Sequence, residues 1–275
     1  MKWDSYHIFY HNYEKHDELI NIIDDYMIKV NEKQWFFIRY WDGGPHIRFR
    51  VKSGFETKKL FVNVEAFIKR NLTQIKIDKD KFYKSSLKYR NSGDDGTQWY
   101  EEGDIKIIDY IPEYERYGGK ELMELTEKLF ISSSKLSCYL IKKHRNFSVK
   151  LLLVKALISI LLESIFEKCV SSKKNYKSTL RDYMNFWDFK DSIEINRFWR
   201  NNVESLSKIK GSLNMDYKIG EFLQEMIAGF EKIQAYLQNE RYFASILLSH
   251  IHMFCNRMGI APLYEISILR DSLVL

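Results

Sequence analysis

The spacing of apolar side chains changes once along this 275-residue chain, and the change limits its fold class more than any other feature. Before Gly119, apolar and polar residues alternate over short runs such as Trp3–Tyr10, which is typical of strands. After Gly119, apolar residues recur every three or four positions over long segments, which is typical of helices. The sequence therefore predicts an α+β protein in which a small mixed sheet with helices precedes a helical bundle.

The predicted elements of the first part follow the order of a split βαβ unit. Asp42-Gly43-Gly44-Pro45 is a cluster of turn residues and predicts a hairpin. The strands are predicted at Trp3–Tyr10, Trp35–Trp41, His46–Lys52 and Ile105–Tyr110, and the helices at Asp17–Lys29 and Glu56–Asn71.

The second part is predicted to be helical over most of its length. Ser171–Ser178 is polar, and Gly211–Gly220 predicts a connection. We expect residues 1–118 to form the sheet part and residues 119–275 the helical part, packed together as one catalytic unit. The predicted helices are Lys120–Lys143, Val149–Lys168, Ile193–Lys208, Gly220–Gln238 and Arg241–Met258.

Composition points to a cytoplasmic globular protein. Apolar residues make up 45% of the chain, which is enough for a large core, and the net charge of +6 is small for 33.1 kDa. Three cysteines without a CxxC pair indicate a reducing compartment. Val149–Phe166 is apolar, but Lys150, Lys155 and Glu163 interrupt it, so we expect a buried helix and no membrane association.

The second hairpin strand carries the first candidate site. Side chains alternate along a strand, so His46, Arg48 and Arg50 share one face. If Trp41 pairs with His46, Arg39 lies opposite Arg48, and two opposed cations favour an anion between them. The alternative is an ordinary basic strand that faces solvent.

The segment from Tyr110 to Gly119 carries the second candidate site. Gly118 and Gly119 allow the backbone to approach a ligand closely. Glu113 and Arg116 are near enough in sequence to pair with each other or to contact a common ligand. The alternative is a loop with a salt bridge that caps the following helix.

The last predicted helix carries the third candidate site. Ser245, Ser249, His252 and Asn256 form a polar stripe on an otherwise apolar helix. Such a stripe lines a cavity or is hydrogen-bonded internally, and His252 with Asn256 could serve general acid–base chemistry. The alternative is a core histidine that is satisfied by its neighbours.

Several common catalytic motifs are missing from the sequence. It has no P-loop, no dinucleotide-binding GxGxxG, no HExxH and no GxSxG elbow. His250 and His252 have no third metal ligand nearby, and the cysteines are scattered. We therefore expect neither a metal ion nor a cofactor.

Three motifs in order resemble one known family over nearly the whole chain. They are Trp35–Tyr40 with Gly44–Arg50, then Pro112-Glu113-Tyr114-Glu115-Arg116-Tyr117-Gly118-Gly119, and then His252-Met253-Phe254-Cys255-Asn256-Arg257. Together they resemble the C-terminal elimination domain of class I lantibiotic dehydratases, which also occurs as a free-standing protein of thiopeptide-type bacteriocin biosynthesis. The large glutamylation domain of the full-length enzymes is absent from these 275 residues.

The resemblance implies a lyase that acts on a precursor peptide whose Ser or Thr carries a glutamyl ester. Loss of glutamate leaves dehydroalanine or dehydrobutyrine. The family's elimination residues map onto Arg48 or Arg50, Glu113, Arg116 and His252. Arg50 and Arg116 would hold glutamate or the oxyanion, Glu113 would orient an arginine, and His252 would be the acid or base. The expected substrate-binding residues are Arg39, His46, Tyr117, Ser249 and Asn256.

The resemblance also implies which proteins act together with this one and which other functions the fold could serve. A separate tRNA-dependent protein would add the glutamate, so direct nucleic-acid binding is not expected, and a homodimer is left open. The thiopeptide pyridine synthases are also similar, and they join two dehydroalanines by a formal [4+2] cycloaddition with loss of the leader peptide. The other alternative to elimination is a non-catalytic subunit that binds the leader peptide.

Overall fold

The computed structural model describes residues 2–73, 77–86, 98–169, 173–187, 190 and 192–271. The α+β class is confirmed, and the chain divides into two compact units, residues 1–111 and 112–275. The first is the sheet unit and the second the helical unit. The segment that carries Glu113 and Arg116 therefore belongs to the helical unit, whereas the predicted boundary followed residue 118.

The sheet unit has the split βαβ topology. Its strand order is β2-β3-β1-β4, so β3 lies between β1 and β2. All three pairings among the described residues are antiparallel, so the sheet is antiparallel and the expected mixed sheet is wrong. The elements are β1 (Trp3–Phe9), α1 (His16–Lys29), β2 (Trp35–Tyr40), β3 (His46–Lys52), α2 (Lys58–Arg70), α3 (Lys79–Ser86) and β4 (Ile105–Ile107).

The hairpin register differs from the predicted one by one residue. Tyr40, not Trp41, pairs with His46, and Arg39 therefore lies opposite Ile47. The reason is the turn, in which Gly44 N–H donates to the carbonyl of Trp41 at 3.1 Å, so that Trp41 lies outside the ladder. Gly43 and Gly44 have φ values of 83° and 109°, which glycine adopts without strain.

The two faces of the sheet have different surroundings. Ile47, Phe49 and Val51 point to the face covered by α1 and α2 and are fully buried. Tyr6, which pairs with Phe49, contacts Phe61 of α2 at 4.8 Å between ring centroids. Alternation along β3 therefore places His46, Arg48 and Arg50 on the face without these helices.

The helical unit contains two helices that the sequence pattern did not predict, α6 and α11. The predicted helix Ile193–Lys208 is divided at Asn202 into α7 and α8. None of the described helices is long and apolar enough to cross a bilayer. The helices are α4 (Met123–Lys143), α5 (Phe147–Lys168), α6 (Lys173–Phe186), α7 (Ile193–Asn201), α8 (Val203–Leu213), α9 (Tyr217–Leu237), α10 (Glu240–Arg257) and α11 (Pro262–Asp271).

Helices α4 and α9 approach each other closely at a glycine. A Cβ atom added at Gly229 of α9 would lie 2.7 Å from a methyl group of the buried Leu129 of α4. Gly220 lies on the same helix, and nothing is within 4 Å of the corresponding position. Packing therefore excludes a side chain at Gly229 but leaves room for one at Gly220.

We expect Gly229→Val to lower the free energy of unfolding by about 1–3 kcal/mol, because the side chain must displace Leu129 in a packed core. Gly220→Ala is the matched control and should raise it, by up to about 1 kcal/mol, through helix propensity alone. Urea unfolding of both variants would measure these changes. Equal stability of the two variants would show that the close approach does not constrain packing.

Four histidines of the sheet unit are buried, and burial lowers the pKa most strongly for three of them, His7, His16 and His46. His7 and His46 stack with ring centroids 4.8 Å apart, and a ring nitrogen of His16 lies 2.7 Å from the carbonyl oxygen of Tyr10. Burial lowers the pKa of His7 and of His16 to about 3, and Arg48 and Arg39 add to the respective shifts. Burial also lowers the pKa of His46, to about 2. The folded unit therefore resists protonation at these rings.

Stability of the sheet unit should fall as the pH drops from 7 to 5. The unfolded chain binds protons near the ordinary histidine pKa, whereas the folded unit does not, so each such ring costs up to about 1.4 kcal/mol per pH unit below it. In a His16→Gln variant, which keeps a donor for Tyr10, the pH dependence of urea unfolding should be weaker. The same slope in both proteins would contradict this assignment.

Candidate functional site

The first cluster lies on β3 of the sheet unit. Arg48 pairs with His7 and Arg50 with Ser5 across the β1–β3 ladder, so the two arginines share one face. The guanidinium carbon of Arg48 lies 3.4 Å from the centroid of the Tyr40 ring, and that of Arg50 lies 4.7 Å from the Tyr110 ring. Aromatic faces favour a cation at such distances. They therefore help to fix both guanidinium groups.

His46 holds Arg48 from a buried position. Its Nδ1 lies 2.8 Å from the carbonyl oxygen of Gly44, so Nδ1 carries the proton and donates. Nε2 then accepts a hydrogen bond from Nε of Arg48 at 3.3 Å. The His46 side chain has no exposed surface. The structure thus places His46 behind Arg48, where it can influence a ligand through that arginine.

Arg39 is not brought to this cluster. The observed register puts it on the helix-covered face of the sheet, where its guanidinium lies 2.5 Å from the Asp17 carboxylate of α1. The predicted opposition of Arg39 and Arg48 is therefore wrong, because one residue of register moves a side chain to the other face.

The second cluster lies at the start of the helical unit, on a 3₁₀ turn over Tyr114–Tyr117. Arg116 bonds the Glu113 carboxylate at 3.0 Å through Nη1, and its Nε donates to Oγ of Ser249 on α10 at 3.2 Å. Burial opposes the charge of Arg116, but the nearby Tyr117 and Glu113 outweigh it and raise the pKa of the guanidinium. Arg116 therefore stays charged between the loop and α10.

The conformation of this turn requires glycine after Tyr117. Gly118 has a φ of 91°, and a Cβ atom there would lie 2.5 Å from Leu122. Tyr117 itself is buried, with Phe130 and His250 at 5.0 and 5.2 Å between ring centroids. Its ring thus anchors the turn and supports Arg116, whose guanidinium carbon is 5.6 Å from it.

The third cluster surrounds His252 of α10. Nδ1 of His252 lies 2.8 Å from Oε2 of Glu265 on α11 and 3.1 Å from the hydroxyl of Tyr183 on α6. The Tyr183 hydroxyl also donates to Oε1 of Glu265 at 2.6 Å. Trp187 packs near the imidazole with ring centroids 5.4 Å apart. Three helices therefore converge on one ring.

The second and third clusters are neighbours on α10. Ser249 and His252 are three residues apart and so lie on the same side of the helix, as the polar stripe predicted. Ser249 contacts Arg116 and His252 contacts Glu265. Tyr183 acts electrostatically on Arg116 as well as bonding to Glu265. Asn256, one turn further along, is half-buried.

Sequence reasoning missed Tyr183 and Glu265. Tyr183 lies on α6, whose start overlaps the polar stretch Ser171–Ser178. Glu265 is an acidic residue within the apolar segment Leu263–Leu269 and has no exposed surface. A carboxylate in an apolar segment needs a buried partner, so the position of Glu265 in the sequence could have identified it as a member of a buried polar cluster.

The described residues offer no group of three or more His, Cys, Asp or Glu that could hold a metal ion. A cavity of about 650 Å³ lies elsewhere in the helical unit, and none of the predicted site residues lines it. Its lining comes from α5, α7, α8 and α11 and comprises Lys155, Ile193, Asn196, Trp199, Arg200, Val203, Leu206, Arg270 and Asp271.

The sequence is similar to that of a curated biosynthesis protein. The epidermin biosynthesis protein EpiB of Staphylococcus epidermidis is 27% identical over 209 residues, which are 74% of this chain and 20% of EpiB. The chain thus spans about a fifth of the length of that curated relative.

Two solved structures of biosynthetic enzymes share the fold. The pyridine synthase TbtD from thiomuracin biosynthesis superposes with a TM-score of 0.67 and 16% identity, over 99% of this chain and 97% of TbtD. The tRNA-dependent lantibiotic dehydratase MibB from Microbispora sp. 107891 gives a TM-score of 0.55 and 17% identity, over 100% of this chain and 28% of MibB. At these identities the likeness shows the fold alone.

The family assignment rests on the sequence over almost the whole chain. Residues 3–271 match the family model described as "Lantibiotic biosynthesis dehydratase C-term". This range includes the strand arginines, the Glu113–Arg116 turn and His252. The chain therefore belongs to the family of lantibiotic biosynthesis dehydratase C-terminal domains.

Proposed function

We propose that this protein eliminates glutamate from glutamylated Ser or Thr residues of a precursor peptide, giving dehydroalanine or dehydrobutyrine. The observation that carries the proposal is the arrangement on α10, where Ser249 holds the charged Arg116 and, one turn away, His252 is bonded to a buried carboxylate. A positioned imidazole beside a cation suits a reaction that removes a proton and expels an anion.

The proposed step is a β-elimination with His252 as the base. A ring nitrogen takes the Cα proton of the esterified residue, and the Cα–H electron pair forms the Cα–Cβ double bond. The Cβ–O bond breaks, and glutamate leaves with that electron pair as a carboxylate. The proton ends on the imidazole, so the step needs no oxidant or cofactor.

The arginines supply positive charge for the developing oxyanion and for glutamate. Guanidinium groups bind carboxylates through two parallel hydrogen bonds, which suits both the substrate's glutamyl group and the product. In the helical unit we assign this role to Arg116, oriented by Glu113. In the sheet unit, Arg48 and Arg50 stay predicted carboxylate-binding residues. His46, Tyr117 and Ser249 act through the arginines that they contact, and Asn256 binds the peptide beyond His252.

A second candidate function is pyridine synthesis. It is favoured by one observation, the match of TbtD to nearly the whole chain with the higher TM-score of the two enzymes described above. The occupied arginine, glutamate and histidine positions favour elimination, because a cycloaddition of two dehydroalanines has no glutamate to bind. For elimination, the partners are the precursor peptide and a separate tRNA-dependent protein that glutamylates it.

The test uses a synthetic precursor-type peptide with one O-glutamyl serine. We expect purified protein to release free glutamate and to leave a peptide one water lighter than its serine form, as measured by mass spectrometry. Hydrolysis to the serine peptide without elimination would contradict the proposal. A peptide with several dehydroalanines is the second substrate, and formation of a pyridine chromophore with loss of the leader would favour the synthase. Binding without turnover would indicate a recruiting subunit.

Arg116→Ala and His252→Ala should each reduce glutamate release at least about 100-fold, because one removes the anion contact and the other the base. Arg241→Ala is the matched control, since Arg241 is an exposed arginine of the same unit that pairs with Asp182. It should retain wild-type turnover. Circular dichroism would verify folding, and full activity in both site variants would refute the assignment.

A further inference from the structure

The buried carboxylate behind His252 has both oxygens engaged by separate donors. Glu265 is fully buried, and its Oε2 faces Nδ1 of His252 at 2.8 Å while its Oε1 accepts the Tyr183 hydroxyl at 2.6 Å. A charged carboxylate in an apolar helix is costly to bury without such partners. The two contacts are therefore what allows Glu265 to be an anion at this position.

The positions of the protons follow from these contacts. An ionised carboxylate only accepts hydrogen bonds, so Nδ1 of a neutral His252 must carry the hydrogen. The remaining lone pair is then on Nε2. Among the described residues, the hydrogen bonds of His252 all involve Nδ1, and its side chain keeps 15% of its surface exposed. Nε2 is thus the basic atom, and it belongs to a ring that solvent can reach.

We propose that Glu265 and Tyr183 are positioning residues that select this tautomer of His252 and stabilise its protonated form during the reaction. The inference rests on the proposed function, in which His252 removes the Cα proton. Glu265 would hold Nδ1–H and compensate the charge of the imidazolium that forms. Tyr183 would keep Glu265 ionised and aligned through the hydrogen bond to Oε1.

The surroundings of the network favour this role. The other titratable or charged groups that act on it are Cys255, one turn along α10, and Arg116, on the turn that precedes α4. Burial and then Glu265 raise the pKa of the Tyr183 hydroxyl, so this group stays a donor at every working pH. Burial and then Glu265 also raise the pKa of Cys255, which keeps that thiol neutral.

The tautomer can be measured without any substrate. In the 275-residue chain, ¹⁵N NMR of the His252 ring should show the proton on Nδ1 when the imidazole is neutral. In Glu265→Gln the amide can donate to Nδ1, and the proton should move to Nε2. A wild-type ring protonated on Nε2, or the same tautomer in both proteins, would overturn the proposal.

The kinetic test compares isosteric variants with a control on the same helix pair. Glu265→Gln should lower kcat for glutamate release about 100-fold or more with little change in KM. Tyr183→Phe should lower kcat by about tenfold, since Glu265 keeps its contact with His252. Asp182→Asn is the control, because it breaks only the exposed pair between Asp182 of α6 and Arg241 of α10. It should leave kcat and KM unchanged.

The outcomes separate the inference from the proposed function. If the NMR tautomer changes as expected but no glutamate is released by any protein, the positioning network stands and elimination fails. If elimination is observed but Glu265→Gln keeps the wild-type kcat, the network is structural only and the inference fails. Should Glu265→Gln not fold, the wild-type tautomer and the Tyr183→Phe kinetics still decide the question.

Discussion

A polar group inside a packed protein must be hydrogen-bonded, and two of the three candidate clusters of this chain follow from that constraint. In the sheet unit, His46 is fully buried and is satisfied by the carbonyl of Gly44 on one side and by Arg48 on the other. In the helical unit, Glu265 is fully buried and is satisfied by His252 and Tyr183. In each case the buried residue fixes the direction of a side chain that is less buried. Arg48 and His252 are thus oriented by neighbours that have no exposed surface.

Sequence periodicity was sufficient to predict which side chains share a face in the strands and helices with a regular apolar pattern. Alternation correctly placed His46, Arg48 and Arg50 on one face of β3, and the 3.6-residue repeat placed Ser249 and His252 on one side of α10. Periodicity failed to predict the hairpin register, which depends on a turn. Gly43 and Gly44 adopt positive φ values there, and the strand pairing differs by one residue from the predicted one, which removes Arg39 from the arginine cluster.

The partners of His252 could not be read from local pattern. Tyr183 precedes it by 69 residues and Glu265 follows it by 13, and each lies on a helix that the sequence pattern did not predict. Tertiary packing decides which side chains meet, so spacing along the chain carries little information about them. The fold likewise does not identify the reaction, because it is shared with a pyridine synthase and with a lantibiotic dehydratase. One fold can host several reactions. The residues of a site, and not the fold that carries them, therefore decide which reaction occurs.

The connection between the last two helices has a consequence for sequence variation. Only residues 258–261 separate the end of α10 from the start of α11, and Gly259 within them has a φ of 72°. An insertion or deletion there would shift the start of α11 relative to the end of α10, and with it the position of Glu265 relative to His252. This short linker should therefore tolerate exchange of side chains far better than any change in its length.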